Sequence, residues 1–175
     1  MTLESIYYIG QTVAVLAILA SLVALYFQQR QGQVIARASS QRELLKSASE
    51  FLLLTFDNPK VLKDVRHGLM EFDSAPHETK SNFGNWAWVF LVIMEQCVYM
   101  KRDELITASS YNGFELGALG IITTPGGAQW WAHTRKVMGV DLVARLDQRL
   151  TELGGVTPPI YEFMPQFAPV ENSKL

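Results

Sequence analysis

The chain has 175 residues, 49% of them hydrophobic, and its 15 Lys and Arg against 17 Asp and Glu give a formal net charge of −2. That length suits one compact domain with accessories. The near-neutral balance excludes a global field suited to nucleic acid, and the lone Cys97 excludes an internal disulfide, which agrees with a reducing compartment.

The apolar residues are unevenly spread. After a short leading segment, residues 1–4, the run Ser5–Phe27 (SIYYIGQTVAVLAILASLVALYF) carries no charge. At about 1.5 Å per residue it spans roughly 34 Å, enough for a hydrocarbon core of about 30 Å. Tyr7, Tyr8 and Tyr26 lie near its ends, where aromatic rings favour the membrane–water interface. A cleaved signal peptide needs a basic start and a shorter apolar core, and Glu4 is the only charge before this run. The pattern predicts a retained single-pass helix over residues 5–27. Arg30, Arg37, Arg42 and Lys46 all follow it, so the positive-inside rule places the amino terminus outside and residues 28–175 in the cytoplasm, the lipid being an inner (cytoplasmic) membrane.

Within the span, Gly10, Ala14, Ala17, Ser21 and Ala24 recur at alternating intervals of four and three, which sets every one of them on one stripe. Small residues let two helix backbones approach closely in lipid. The stripe is a candidate helix-packing seam for a membrane partner or a second copy.

Residues 28–155 read as an all-α cytoplasmic domain of about five or six helices. Leu44, Leu45, Ala48, Phe51 and Leu52 recur at helical spacing, so the membrane helix continues, or restarts after Gly32, as an amphipathic helix ending at Asp57-Asn58-Pro59. Asn58 then caps a helix with Pro59 at its first position and Val61, Leu62, Val65, Leu69 and Phe72 inward. Ser74-Ala75-Pro76 ends it. Glu78–Met100 is apolar almost all round, which predicts a central buried helix, with a re-entrant or interfacial segment as the competing reading.

Lys101–Glu104 is an exposed corner. Leu105–Ile122 reads as a helix interrupted by a turn at Tyr111-Asn112-Gly113. Ala128–Met138 is a helix ended by Gly139, and Asp141 caps another that runs to Leu153. In that last helix Leu142, Leu146, Leu150 and Leu153 face inward, and Arg145 and Arg149 join Asp141 and Glu152 on a solvated face. Residues 156–175 hold four prolines in an aromatic tail, VTPPIYEFMPQFAPVENSKL. An extended strap is expected there, with Tyr161, Phe163, Met164 and Phe167 as a candidate partner-binding surface.

The most motif-like stretch is TTPGGAQWW, Thr123–Trp131. No lysine follows its glycines, and a helix precedes it, so it is no phosphate-binding loop of the Walker or dinucleotide type. The local account is a helix start: Thr124 as N-cap, Pro125 at N1, glycines that let the first turn pass close to a neighbouring helix, and Trp130 with Val137 facing the core. The free N–H groups of Gly126 and Gly127 offer the anion-binding reading that any helix start offers.

The anchor, the Gln/Arg-rich helix after it, and the stretches NWAWVFLVIMEQCVYMKRDELI and IITTPGGAQWWAHTR resemble a broad set of small uncharacterised bacterial proteins with one membrane helix and a helical cytoplasmic domain. The likeness covers most of Ser5–Leu153. It implies an architecture and no reaction.

Catalytic constellations are missing from the sequence: no G-x-S-x-G, H-E-x-x-H or C-x-x-C occurs. His67 shares a helix face with Asp64 and Glu71, but a four-helix carboxylate metal site needs Glu-x-x-His pairs, and none occurs. His77 reads as a solvated loop residue and Cys97 as a small apolar core residue. Glu95 is the one charge inside the most apolar helix, with Arg135 or Lys136 as its expected partner. No catalytic residue, metal or cofactor is assigned. These features point to a non-catalytic, membrane-anchored interaction protein: an accessory or assembly subunit of an inner-membrane complex, or a self-associating scaffold. The alternative is a membrane-tethered enzyme or small-ligand sensor with a pocket between helices lined by Glu95, His133, Trp130 and Trp131.

Overall fold

The computed structural model describes residues 3–154 and 157–169, the side chains of residues 5 and 6 excepted. Among these residues the structure is all-helical, without strands. The chain divides into two compact units, Met1–Ser40 and Gln41–Leu175.

The first unit consists of the early turns of α1, a helix that runs from Leu3 to Phe56. Gly32 does not break it. Its most apolar window has a mean hydropathy of 2.1 and is 0% buried. Polar side chains in this stretch bond back to their own helix. Ser21 Oγ donates to the Ala17 carbonyl at 2.8 Å, and Thr12 Oγ1 to the Tyr8 carbonyl at 2.9 Å. Both of these hydroxyl hydrogens are thereby paired within the helix.

The second unit opens with the last turns of α1, where Leu44 and Thr55 are buried and Ala48, Phe51 and Leu52 half-buried. Leu45, expected inward, is exposed. α2 (Pro59–Met70) starts as its sequence dictates: Asn58 accepts from the Lys60 and Val61 amides and Pro59 fills the first turn. Val65, Gly68 and Leu69 are its buried residues. α3 (His77–Arg102) packs Phe83, Leu91, Met94 and Cys97 into the core. It is not buried all round, for Trp88, Val89, Val92 and Tyr99 lie on an exposed side.

α4 (Ala108–Ile122) corrects the expected interruption. Thr107 caps it, and the helix passes through Tyr111-Asn112-Gly113 without a turn. Tyr111 is anchored inside while Asn112 and Gly113 face outward. Tertiary packing therefore outweighs the turn preference of Asn-Gly, at a cost of about 1 kcal/mol for a helical glycine.

α5 (Pro125–Thr134) begins as expected. Thr124 Oγ1 accepts from the Gly127 amide at 3.0 Å. A Cβ on Gly126 would sit 2.0 Å from the Gly68 carbonyl oxygen, so the first turn of α5 lies directly against α2. Gln129 strengthens that junction, accepting from the Phe72 and Asp73 amides at 2.9 Å each. Both tryptophans are buried, Trp131 as well as Trp130, whereas Val137 is 70% exposed. The expected inward Val137 fails because the helix tightens into a 3-10 turn, Arg135–Val137, before reaching it.

α6 (Val140–Glu152) starts at Gly139, not at Asp141, which lies inside the first turn and faces Arg102. The tail is not extended throughout. It forms a single turn, α7 (Ile160–Phe163), and a 3-10 turn, Pro165–Phe167. Prolines at 159 and 165 preset the backbone at each start. Residues 156 and 170–175 of the expected strap lie outside the described residues.

Candidate functional site

One buried carboxylate organises the polar chemistry of the second unit. Glu115 projects from α4 and is 3% exposed. Arg145 and Arg149, one turn apart on α6, hold one oxygen each: Arg145 Nε donates to Oε1 at 2.6 Å and Arg149 Nε to Oε2 at 2.8 Å. Arg145 Nε also reaches the Tyr111 hydroxyl at 3.2 Å. The two arginines, expected on a solvated face, thus turn inward. Their charges meet a carboxylate that is almost wholly buried.

Pairing decides the protonation states. Burial works against the charge of Arg145, but the hydrogen bond and charge of Glu115 outweigh it and hold the guanidinium above its ordinary pKa. Arg149 is raised first by its bond to Glu152 and then by the charge of Glu115. Burial, and then the Glu115 charge, raise the Tyr111 phenol, so it stays protonated as a neutral member of the cluster.

A cavity of ≈ 470 Å³ opens beside this cluster, within the same unit. Glu115, Arg145 and Arg149 line one side, with Asn112 and Thr157. Leu116, Leu119 and Leu153 supply apolar wall. The Thr157 hydroxyl is buried and has no hydrogen-bond partner among the described residues.

The residues singled out in the sequence lie elsewhere. Glu95 is half-buried, accepts from the Tyr99 hydroxyl at 3.1 Å and lies against Gly139, not against Arg135 or Lys136. Arg135 instead binds Asp147 at 2.5 Å. His133 is exposed and faces Asp73 at 3.5 Å. Trp130 packs edge-on against Phe83, and Trp131 lies 6.5 Å from it. Glu95 and His133 therefore serve separate contacts, with Tyr99 and with Asp73.

His67 is exposed, and its neighbour Asp64 is engaged by Thr79 and Asn82 at 2.8 and 2.6 Å. Among the described residues no group of three or more His, Cys, Asp or Glu is arranged to hold a metal ion. Cys97 is buried, and desolvation pushes its thiol up to about 12.

The tail residues divide. Phe167 is fully buried, 5.1 Å from Trp86 and 5.8 Å from Phe56, and the Gln166 carbonyl accepts from Arg66 Nε at 2.8 Å. Tyr161 and Met164 are half-buried, and Phe163 is 37% exposed. The seam residues Gly10, Ala14, Ala17, Ser21 and Ala24 are all exposed on α1.

The Glu115 cluster escaped the sequence reading, although a signal existed. Glu115 is the single charge in Phe114–Ile122 (FELGALGII), and the test applied to Glu95 applies equally to it. Comparison with known protein families, with curated proteins and with solved structures finds no match.

Proposed function

We propose that this is a non-catalytic, membrane-anchored interaction protein, an accessory or assembly subunit of an inner-membrane complex or a self-associating scaffold. One observation carries the reading. Every residue of α1 from Tyr7 to Ser39 is exposed, including the uncharged stretch from Tyr7 to Phe27. An apolar face of that size has no stable place in water. Lipid around a single-pass helix satisfies it, with the amino terminus outside and the helical domain in the cytoplasm.

Association follows from the distribution of side-chain size on that helix. The stripe from Gly10 to Ala24 offers a shallow face to a second membrane helix, while Leu16, Leu19 and Leu22 face lipid. Oxidative cross-linking in native membranes tests this with Ala17→Cys and Leu19→Cys, residues on opposite sides of the helix. The buried Cys97 thiol gives little background. Cross-linked species at Ala17→Cys only are expected, whereas equal or absent cross-linking at both sites contradicts the seam.

A further inference from the structure

We propose that two copies of this chain pair in parallel along α1, and that the pairing continues out of the lipid as a short two-stranded coiled coil from Gln28 to Ala38. This pairing presupposes the membrane-anchored reading above and names its partner, a second copy.

Exposure comes first. α1 is unbroken from Leu3 to Phe56, and every residue from Gln28 to Ser39 is exposed, Val34 at 64% and Ile35 at 62%. Helices in water owe most of their stability to packing of an apolar face. Gly32, Val34, Ile35 and Ser39 are poor or middling helix formers, and the chain itself buries none of them. A partner that covers Val34 and Ile35 supplies what the chain does not.

Register says what kind of partner. The alternating steps of four and three that link Gly10 to Ala24 continue without a slip to Gln28, Gln31, Ile35 and Ala38. A 3.5-residue period held over four heptads of one unbroken helix selects another helix, in a left-handed crossing.

Side-chain chemistry selects a second copy. In heptad terms Gln28 and Ile35 take a positions, and Gln31 and Ala38 take d positions. A β-branched residue at a favours two strands, and a polar residue at a fixes register. A glutamine amide both donates and accepts, so Gln28 facing its own copy satisfies itself. The flanking Gly32, Val34 and Ser39 are uncharged, while Arg30 and Arg37 lie off the strip. Identical chains at equal height therefore meet without like-charge repulsion. Arg42 is the first charge on the strip and ends the pairing, and Gln41 beside it is already engaged by Thr107 and Ser110 at 3.1 and 3.0 Å. The anchors hold the copies side by side, so a short zipper needs little affinity of its own.

Disulfide cross-linking in native membranes tests this, with Gln31→Cys, Ile35→Cys and Ala38→Cys on the strip and Gln33→Cys and Ala36→Cys on the opposite side. Ala17→Cys reports the membrane seam in parallel. A linked species of twice the chain mass is expected at the three strip positions, about fivefold above the two others. Equal or absent linking at all five, with Ala17→Cys still linking, overturns the extension and leaves the membrane seam standing. Linkage of Ile35→Cys to a protein of another mass overturns the second copy and leaves the accessory-subunit reading. No linkage at Ala17→Cys or at Ile35→Cys overturns the pairing together with the seam.

Discussion

Arg145 and Glu115 meet across a sequence separation of 30 residues, Nε to Oε1 at 2.6 Å, and their contact fixes α6 on α4. The side chain of Glu115 is 4% exposed against 26% for Arg145 and 30% for Arg149. Loss of the carboxylate therefore leaves two cations that can still turn partly to water. Glu115→Gln is expected to cost about 3 kcal/mol, at the lower end for breaking a buried pair, which lowers the unfolding temperature by roughly 6–12 °C. Thermal unfolding of the full chain in detergent measures it. A loss under about 1 kcal/mol would mean the pair is solvated.

Cys97 supplies a pH prediction with a definite sign. In the unfolded chain a thiol ionises near about 8.5, while burial raises it to about 12 in the folded protein. Between those values the folded state holds a proton that the unfolded state has lost, so stability falls as pH rises. Below about 8.5 both states are protonated and the contribution is constant. Tyr111, also raised by burial, adds to the loss above the ordinary tyrosine range. Maleimide labelling at neutral pH should be slow in the native protein and fast in denaturant, and rapid native labelling would contradict a buried thiol.

Gly126 is a position where a methyl group has no room. Its Cβ would lie 2.0 Å from the Gly68 carbonyl oxygen, which is backbone and cannot swing away. Gly126→Ala is expected to push α5 off α2 and destabilise by about 1–3 kcal/mol or more. Circular dichroism melts check this, and an unchanged melt would refute the close approach.

Gly113 gives the opposite sign. It lies in an exposed turn of α4, and a methyl group added there would meet nothing within 4 Å. Gly113→Ala should stabilise by about 0.5–1 kcal/mol through helix propensity alone. The same melts decide it, and destabilisation would revive a turn at this point.

Much of the fold was legible because its signals are local. Asn58-Pro59 and Thr124-Pro125 each carry a cap and an N1 proline within two residues, and both helices start there. The uncharged run Ser5–Phe27 and the core position of Cys97 are likewise read from nearest neighbours. What escaped is non-local. Arg145 and Arg149 resemble solvated charges beside Asp141 and Glu152 until α4 brings Glu115 between them. Asn112-Gly113 carries a strong turn signal, and only the burial of Tyr111, which depends on α6 and Lys101, overrides it. Asp141 lost the cap to Gly139, where the Glu95 carboxylate stands so close that a side chain would collide with it.

The central claim is association through a membrane anchor. Native mass spectrometry of the full-length protein, extracted from its own membranes into nanodiscs without cross-linker, tests it most directly. The account predicts a species heavier than one chain, either with larger membrane subunits or with a second copy. A bare monomer, or a protein recovered from the soluble fraction, would contradict it.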